Sequence, residues 1–83
     1  MKIPNKIIQH KKLIYLLKEL RKKSALRQVE MAKQLDVPQS FVSKYESGER
    51  NLDILELRQI CQVMGISLQD FVKKLEEELN ETK

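Results

Sequence analysis

Glycine and proline each occur only twice in the 83 residues, at Gly48 and Gly65 and at Pro4 and Pro38. With so few breakers and no strand-like alternation of apolar and polar residues, the chain reads as all helix. Cys61 is the only cysteine, which excludes an internal disulfide and a multi-cysteine metal site and fits a reducing compartment. No apolar run approaches the roughly 18 to 20 residues that span a bilayer. The opening "MKIPNKIIQHKK" lacks the long apolar stretch and small-residue cleavage site of a signal peptide, so a cytoplasmic protein away from membranes is expected. Internal repeats and low-complexity segments are absent. The chemistry of an enzyme is missing too: no nucleophile is matched with a base, no carboxylates pair in a polar cluster and no Gly-rich loop could cradle a phosphate. His10 has no Cys, Asp or second His at ligand spacing, and the "EEE" of residues 76–78 lies on the solvent side of a helix. Neither catalysis nor a cofactor nor a metal is expected.

What is present is one small domain with a divided charge. A chain of this length has a modest core that barely offsets chain entropy, so a second copy burying further apolar surface would help it. The formal charge of +4 is uneven: residues 1–50 carry 12 Lys/Arg against 5 Asp/Glu, and residues 51–83 carry 4 against 7. A basic front suits a polyanion, because neutralising phosphates drives nucleic-acid affinity, and an acidic back suits self-association or solvent.

Five helices are legible. Residues 1–9 are expected to be a flexible arm, residues 10–80 the folded domain and residues 81–83 a disordered tail. The first helix should run from His10 to Lys23 with Leu13, Leu17 and Leu20 facing the core. Ile14, Tyr15 and Leu16 add apolar surface beyond that stripe, to be covered by Ile3, Ile7 and Ile8 or by another chain. The second helix, Arg27 to Leu35, buries Met31, Ala32 and Leu35. The third spans Pro38 to Ser47, with proline at the first helical position, where no intrahelical N–H bond is needed, and Gly48 as its left-handed stop. Asp53 caps a fourth helix that holds Ile54, Leu57, Ile60, Cys61 and Met64 and ends at Gly65. A fifth runs from Ser67 to Asn80, opened by the Ser67/Asp70 half of a capping box. Leu68, Phe71, Val72, Leu75 and Leu79 fall on it at helical spacing, with Leu75 and Leu79 expected beyond the reach of the core. Cys61, on an apolar stripe, reads as a small core residue.

"RQVEMAKQL", "DVP" and "QSFVSKYE" form two short helices joined by a tight turn, the arrangement that presents a recognition helix to the major groove. Gln39, Ser40, Ser43 and Lys44 lie on roughly one face of the third helix while Val42 and Tyr45 turn inward. Gln pairs bidentately with adenine and Lys with guanine, so this face has the chemistry of base reading.

From Leu13 to Leu75, and through "LKELR", "LRQVEMAKQLDVPQSFVSKYESGERNLDILELRQICQVMGISLQDFV" in particular, the chain resembles the Cro/phage-repressor type of helix-turn-helix domain, the XRE family. The resemblance implies an all-α, five-helix, lambda-repressor-like DNA-binding domain that regulates transcription, most simply as a repressor, from double-stranded DNA. It implies that Gln39, Ser40 and Lys44 contact bases with Ser43 as an additional contact, and that the amide of Gln28 contacts a phosphate. Ser47, Arg50 and Asn51 in "SGERN" are implied as backbone contacts, with Glu49 turned away. Arg21 and Glu46 match a semi-buried salt bridge between the first and third helices. Two positions depart from the family pattern: Arg27 stands where a Ser or Thr cap is usual and is expected to reach a phosphate itself, and Pro38 replaces a Ser or Thr. Phe41 occupies a partly exposed position within reach of a thymine methyl or a sugar.

A homodimer is expected to join through the late part of the chain, at Leu68, Val72, Leu75 and Leu79, and to read a near-palindromic operator with half-sites about one helical turn, roughly 34 Å, apart. The alternative is an antitoxin-type protein that carries a protein partner on the arm around Ile3, Ile7 and Ile8 or on Ile14 to Leu16.

Overall fold

A computed structural model describes residues 6–80, and among them there are five helices and no strand: α1 (Lys6–Lys23), α2 (Gln28–Leu35), α3 (Gln39–Ser47), α4 (Ile54–Val63) and α5 (Leu68–Asn80). The short α2 and α3 pack on each other. α1 lies against α3 and α5, and α4 bridges α2 and α5, so every helix touches a common interior. That interior is built from Leu16, Leu17, Met31, Ala32, Val42, Tyr45, Leu57, Ile60, Cys61 and Phe71. All five helices contribute, and the largest buried side chain, Tyr45, comes from α3. Cys61 is fully buried, and burial pushes its thiol up to about 11, so it is a packing residue.

The helix stops are set by local chemistry. Asp53 accepts the N–H of Glu56 at 2.7 Å while Glu56 accepts that of Asp53 at 3.0 Å, a reciprocal capping box at the start of α4. Ser67 accepts the N–H of Asp70 at 3.0 Å at the start of α5. Gly48 and Gly65 close α3 and α4 in the left-handed region, at φ +88° and +75°. Pro38 is the N-cap of α3 rather than its first helical residue, with Phe41 donating its N–H to the Pro38 carbonyl at 3.0 Å. Two left-handed residues carry side chains: Ala25 after α1 and Asp36 after α2, both at φ +58°.

Several expectations are corrected. α1 begins at Lys6, so Lys6–Gln9 are helical, and not part of a flexible arm; Ile3 and residues 81–83 lie outside the described residues. α1 packs along α5, and Lys12 Nζ donates to the Glu78 carbonyl at 3.3 Å. The core reaches Leu75, which packs against it, and Leu79 is half-buried. Leu16 is a core residue, and Ile14 is half-buried beside the C-cap of α3; of that surplus only Tyr15 stays out, 61% exposed. Ile7 and Ile8 do not cover it but are exposed themselves. Ile54, expected in the buried stripe of α4, is 59% exposed because the helix meets the core only from Leu57 onward.

Candidate nucleic-acid interface

The face of α3 divides cleanly. Val42 and Tyr45 are buried and Glu46 is nearly so, whereas Gln39, Ser40 and Lys44 are exposed and Ser43 is half-buried. At about 100° per residue the four polar side chains occupy one side of the helix, opposite the pair that holds it to the domain. Ser43 donates its hydroxyl back to the Ser40 carbonyl at 3.2 Å, and Ser47 does the same to Lys44 at 3.0 Å. Each hydroxyl keeps its lone pairs outward in that rotamer, so Ser43 is set to accept from a base amino group, while Ser47 must turn to donate to a phosphate.

One carboxylate anchors this helix. Arg21 Nε and Nη2 donate to the two oxygens of Glu46 at 2.6 and 3.0 Å, and Arg21 Nη1 donates to the Leu26 carbonyl at 2.7 Å. The side chains of the pair are only 9% and 3% exposed. The hydrogen bond and charge of Glu46 raise the guanidinium further above its ordinary value against the opposing pull of burial. Burial and the same carboxylate raise the Tyr45 phenol. Gln28 Nε2 also donates to Glu46, at 3.1 Å. Its amide nitrogen carries a second N–H, so the residue can hold Glu46 and still offer a donor to a phosphate. The tight turn through Ala25 is what delivers the Leu26 carbonyl to Arg21: Leu26 N–H returns to the Arg21 carbonyl at 3.2 Å and the guanidinium of the same residue takes Leu26 O.

The two arginines expected at phosphates are not idle. Arg27, at the N-cap of α2, has no side-chain acceptor to serve as a cap, since a guanidinium only donates. Glu30 instead accepts both the Arg27 N–H at 2.9 Å and Arg27 Nε at 3.2 Å, which hold its carboxyl below the ordinary range. Arg50 lies with its guanidinium 4.4 Å over the Phe41 ring and donates Nη2 to Glu56 at 2.6 Å. Phe41 in turn meets Tyr45 edge to face, with ring centroids 5.8 Å apart. Phe41 therefore packs on the edge of the core with a cation over it rather than projecting freely. Asn51 and Glu49 are exposed, with no hydrogen bond to either side chain among those described. Beside this segment, Lys6, Ile7, His10, Lys11 and Ile14 of α1 meet Ser47, Gly48 and Asn51 around a cavity of about 530 Å³, where the His10 Nε2 is buried without a hydrogen-bond partner.

Sequence reasoning missed Glu30 and Glu56. The signal was present in each case as a Glu three residues after the N-cap position. On α5, Leu68, Val72, Leu75 and Leu79 share one stripe, with Val72 exposed and the other three half-buried. Leu55, next to Ile54, is a further exposed apolar side chain, at 69%.

Residues 17–71 match the family model described as Helix-turn-helix. The chain belongs to the XRE-type helix-turn-helix family. Control protein C.MunI of Mycoplasma sp. is 36% identical over 63 residues, spanning 75% of this chain and 85% of that protein. A solved XRE-family-like protein from Pseudomonas syringae pv. tomato superposes with a TM-score of 0.81 at 38% identity, covering 86% of this chain and 87% of that one. The restriction-modification controller protein C.Esp1396I superposes at 0.79 with 24% identity over 86% of this chain and 93% of that one, a likeness of fold. The XRE-type chain is thus an all-α DNA-binding transcription regulator, and its relatives are regulators rather than enzymes. None of its described helices is long and apolar enough to cross a membrane.

Proposed function

We propose that this regulator is the control protein of a restriction-modification locus, binding a near-palindromic operator as a homodimer and blocking or recruiting polymerase there. The observation that carries base reading is the division of α3: a buried anchor of Val42, Tyr45 and Glu46 behind an outward Gln39, Ser40, Ser43 and Lys44. In this reading Gln39 takes adenine, Lys44 takes guanine and the two serines adjust to their neighbours. Gln28, Arg27, Ser47, Arg50 and Asn51 position the helix on phosphates. The stripe Leu68, Val72, Leu75 and Leu79 supplies the dimer contact. The assignment to a restriction-modification locus is supported by the 36% identity to a control protein along most of its length. No catalytic step, metal or cofactor enters the reading, and the cytoplasm is where such a protein meets its operator.

Selection of bound sequences from random duplex DNA tests it, followed by a salt titration on the best site. Enrichment of a two-fold motif, found again upstream of the protein's own gene, is the expected result. No enriched motif would defeat sequence-specific binding, and an asymmetric one would defeat the dimer. A second reading, in which α1 also carries a protein partner, is favoured by exposed Ile7, Ile8 and Tyr15 on α1, of which Ile7 lines the cavity. A stable second protein co-purifying from the native host, lost on Ile7→Ser with Tyr15→Ser, is the outcome it requires.

A further inference from the structure

Arg50 sits at the end of the recognition helix with its charge already answered. Its backbone N–H closes on the Lys44 carbonyl at 3.1 Å, which ties residue 50 to the last turn of α3. Its guanidinium lies 4.4 Å over Phe41, a residue of the same helix, and Nη2 reaches Glu56 Oε2 at 2.6 Å. Glu56 cannot drift away, because its other oxygen accepts the Asp53 N–H in the capping box of α4. The carboxylate is thus pinned by the helix it caps and offers a fixed anion at the place where a DNA phosphate would compete for Arg50. The pair is partly open to solvent, with side chains 42% and 28% exposed, so exchange of one anion for the other needs no repacking.

We propose that Glu56 is an internal competitor of the DNA backbone, which withholds Arg50 from the phosphates of non-operator duplex and so lowers sequence-independent affinity. The proposal rests on the DNA-binding reading of α3. Binding that depends on phosphates alone is the term that a regulator must limit if its operator is to compete with the rest of the genome. A neutralised Arg50 contributes little to that term while its remaining N–H groups stay directed by Phe41 and Glu56. Arg27 and Glu30 repeat the arrangement at the start of α2, but loosely, with Arg27 78% exposed and a 3.2 Å contact. Glu56 is therefore the stronger brake.

The test uses Glu56→Gln, whose amide oxygen can still accept from Asp53 N–H and whose melting temperature reports that α4 remains capped. Affinity for a non-specific duplex and for the selected operator is measured by fluorescence anisotropy across a salt series. Glu56→Gln is expected to bind the non-specific duplex up to about fivefold more tightly at low salt, the limit set by an exposed ion pair. The slope of log K against log salt should steepen by about 0.9, one phosphate. On the non-specific duplex, Arg50→Ala should flatten the slope by that same amount in Glu56→Gln and by clearly less in the wild-type background. Equal or weaker binding by Glu56→Gln with an unchanged slope would overturn the proposal and make Glu56 a support for Arg50. Loss of sequence preference in the selection experiment leaves this measurement intact, since its main readout is the non-specific duplex. If neither protein bound any duplex, both readings would fall together.

Discussion

Replacing Glu46 by alanine removes the acceptor for two N–H groups of Arg21 and one of Gln28, and leaves a guanidinium whose side chain is 9% exposed with only the Leu26 carbonyl to answer it. Breaking a buried pair from one side typically costs about 3 to 5 kcal/mol. A domain of this size has about 4 to 12 kcal/mol in total, so the variant should sit close to its unfolding threshold. Glu46→Gln keeps one acceptor and should lose less. The double replacement Arg21→Met with Glu46→Leu removes both charges and should recover most of the loss, which gives a coupling of about 2 kcal/mol or more relative to the two single variants. Urea unfolding followed by circular dichroism measures each step, read from the midpoint at constant m-value. Because the pair is buried, raising the salt should change the loss little, unlike that at Arg50 and Glu56. A Glu46→Ala variant destabilised by less than about 1 kcal/mol, with its m-value intact, would refute the assignment of this carboxylate as the anchor of the recognition helix.

Three further outcomes follow from the described geometry. Ala25 holds φ +58°, a conformation that costs a side-chain-bearing residue about 1 to 2 kcal/mol, so Ala25→Gly should raise the free energy of unfolding by up to about 1 kcal/mol after glycine's own entropic cost. Gly48→Ala should do the reverse by about 1 to 2 kcal/mol, and by more than Gly65→Ala, because its Cβ would also come to 3.3 Å from Ile14 Cδ1 while that of Gly65 meets nothing within 4 Å; thermal melts compare the two. The thiol of Cys61 ionises at 9.0 when exposed and near 11 when folded, so the unfolded state loses its proton first and stability should fall as pH rises from about 9 to about 11. Tyr45 adds to the fall above its unfolded value of 10.0, and Cys61→Ala should remove the earlier part of it in urea titrations at fixed pH.

Helix identity was legible because apolar spacing and caps act locally. The Asp53 cap, the Ser67 cap and both glycine stops were readable from residues a few positions apart. So was the Arg21–Glu46 pair, through the family pattern. What escaped was decided by long-range neighbours or by residues without a strong preference. The helical turn Lys6–Gln9 was not read, although Asn5 before it is of a residue type that favours helix starts, and the packing of Leu75 against the interior depends on neighbours distant in sequence. The left-handed Ala25 carries no signal, since alanine favours the opposite conformation. Gln28 was expected at a phosphate alone, yet its amide also serves Glu46, and the partly exposed position expected for Phe41 carried no sign that Arg50 covers its ring. Side chains with several donors or two faces take more than one partner, and spacing does not reveal the second.

The division of α3 bears on how such proteins change allegiance. Gln39, Ser40 and Lys44 are exposed, and their side chains take part in none of the hydrogen bonds or ion pairs described above, so exchanging them alters stability by no more than about 0.5 kcal/mol. Val42, Tyr45 and Glu46 cannot be exchanged so freely. A duplicated copy of this gene could therefore drift to a new operator through three codons without passing through an unfolded intermediate.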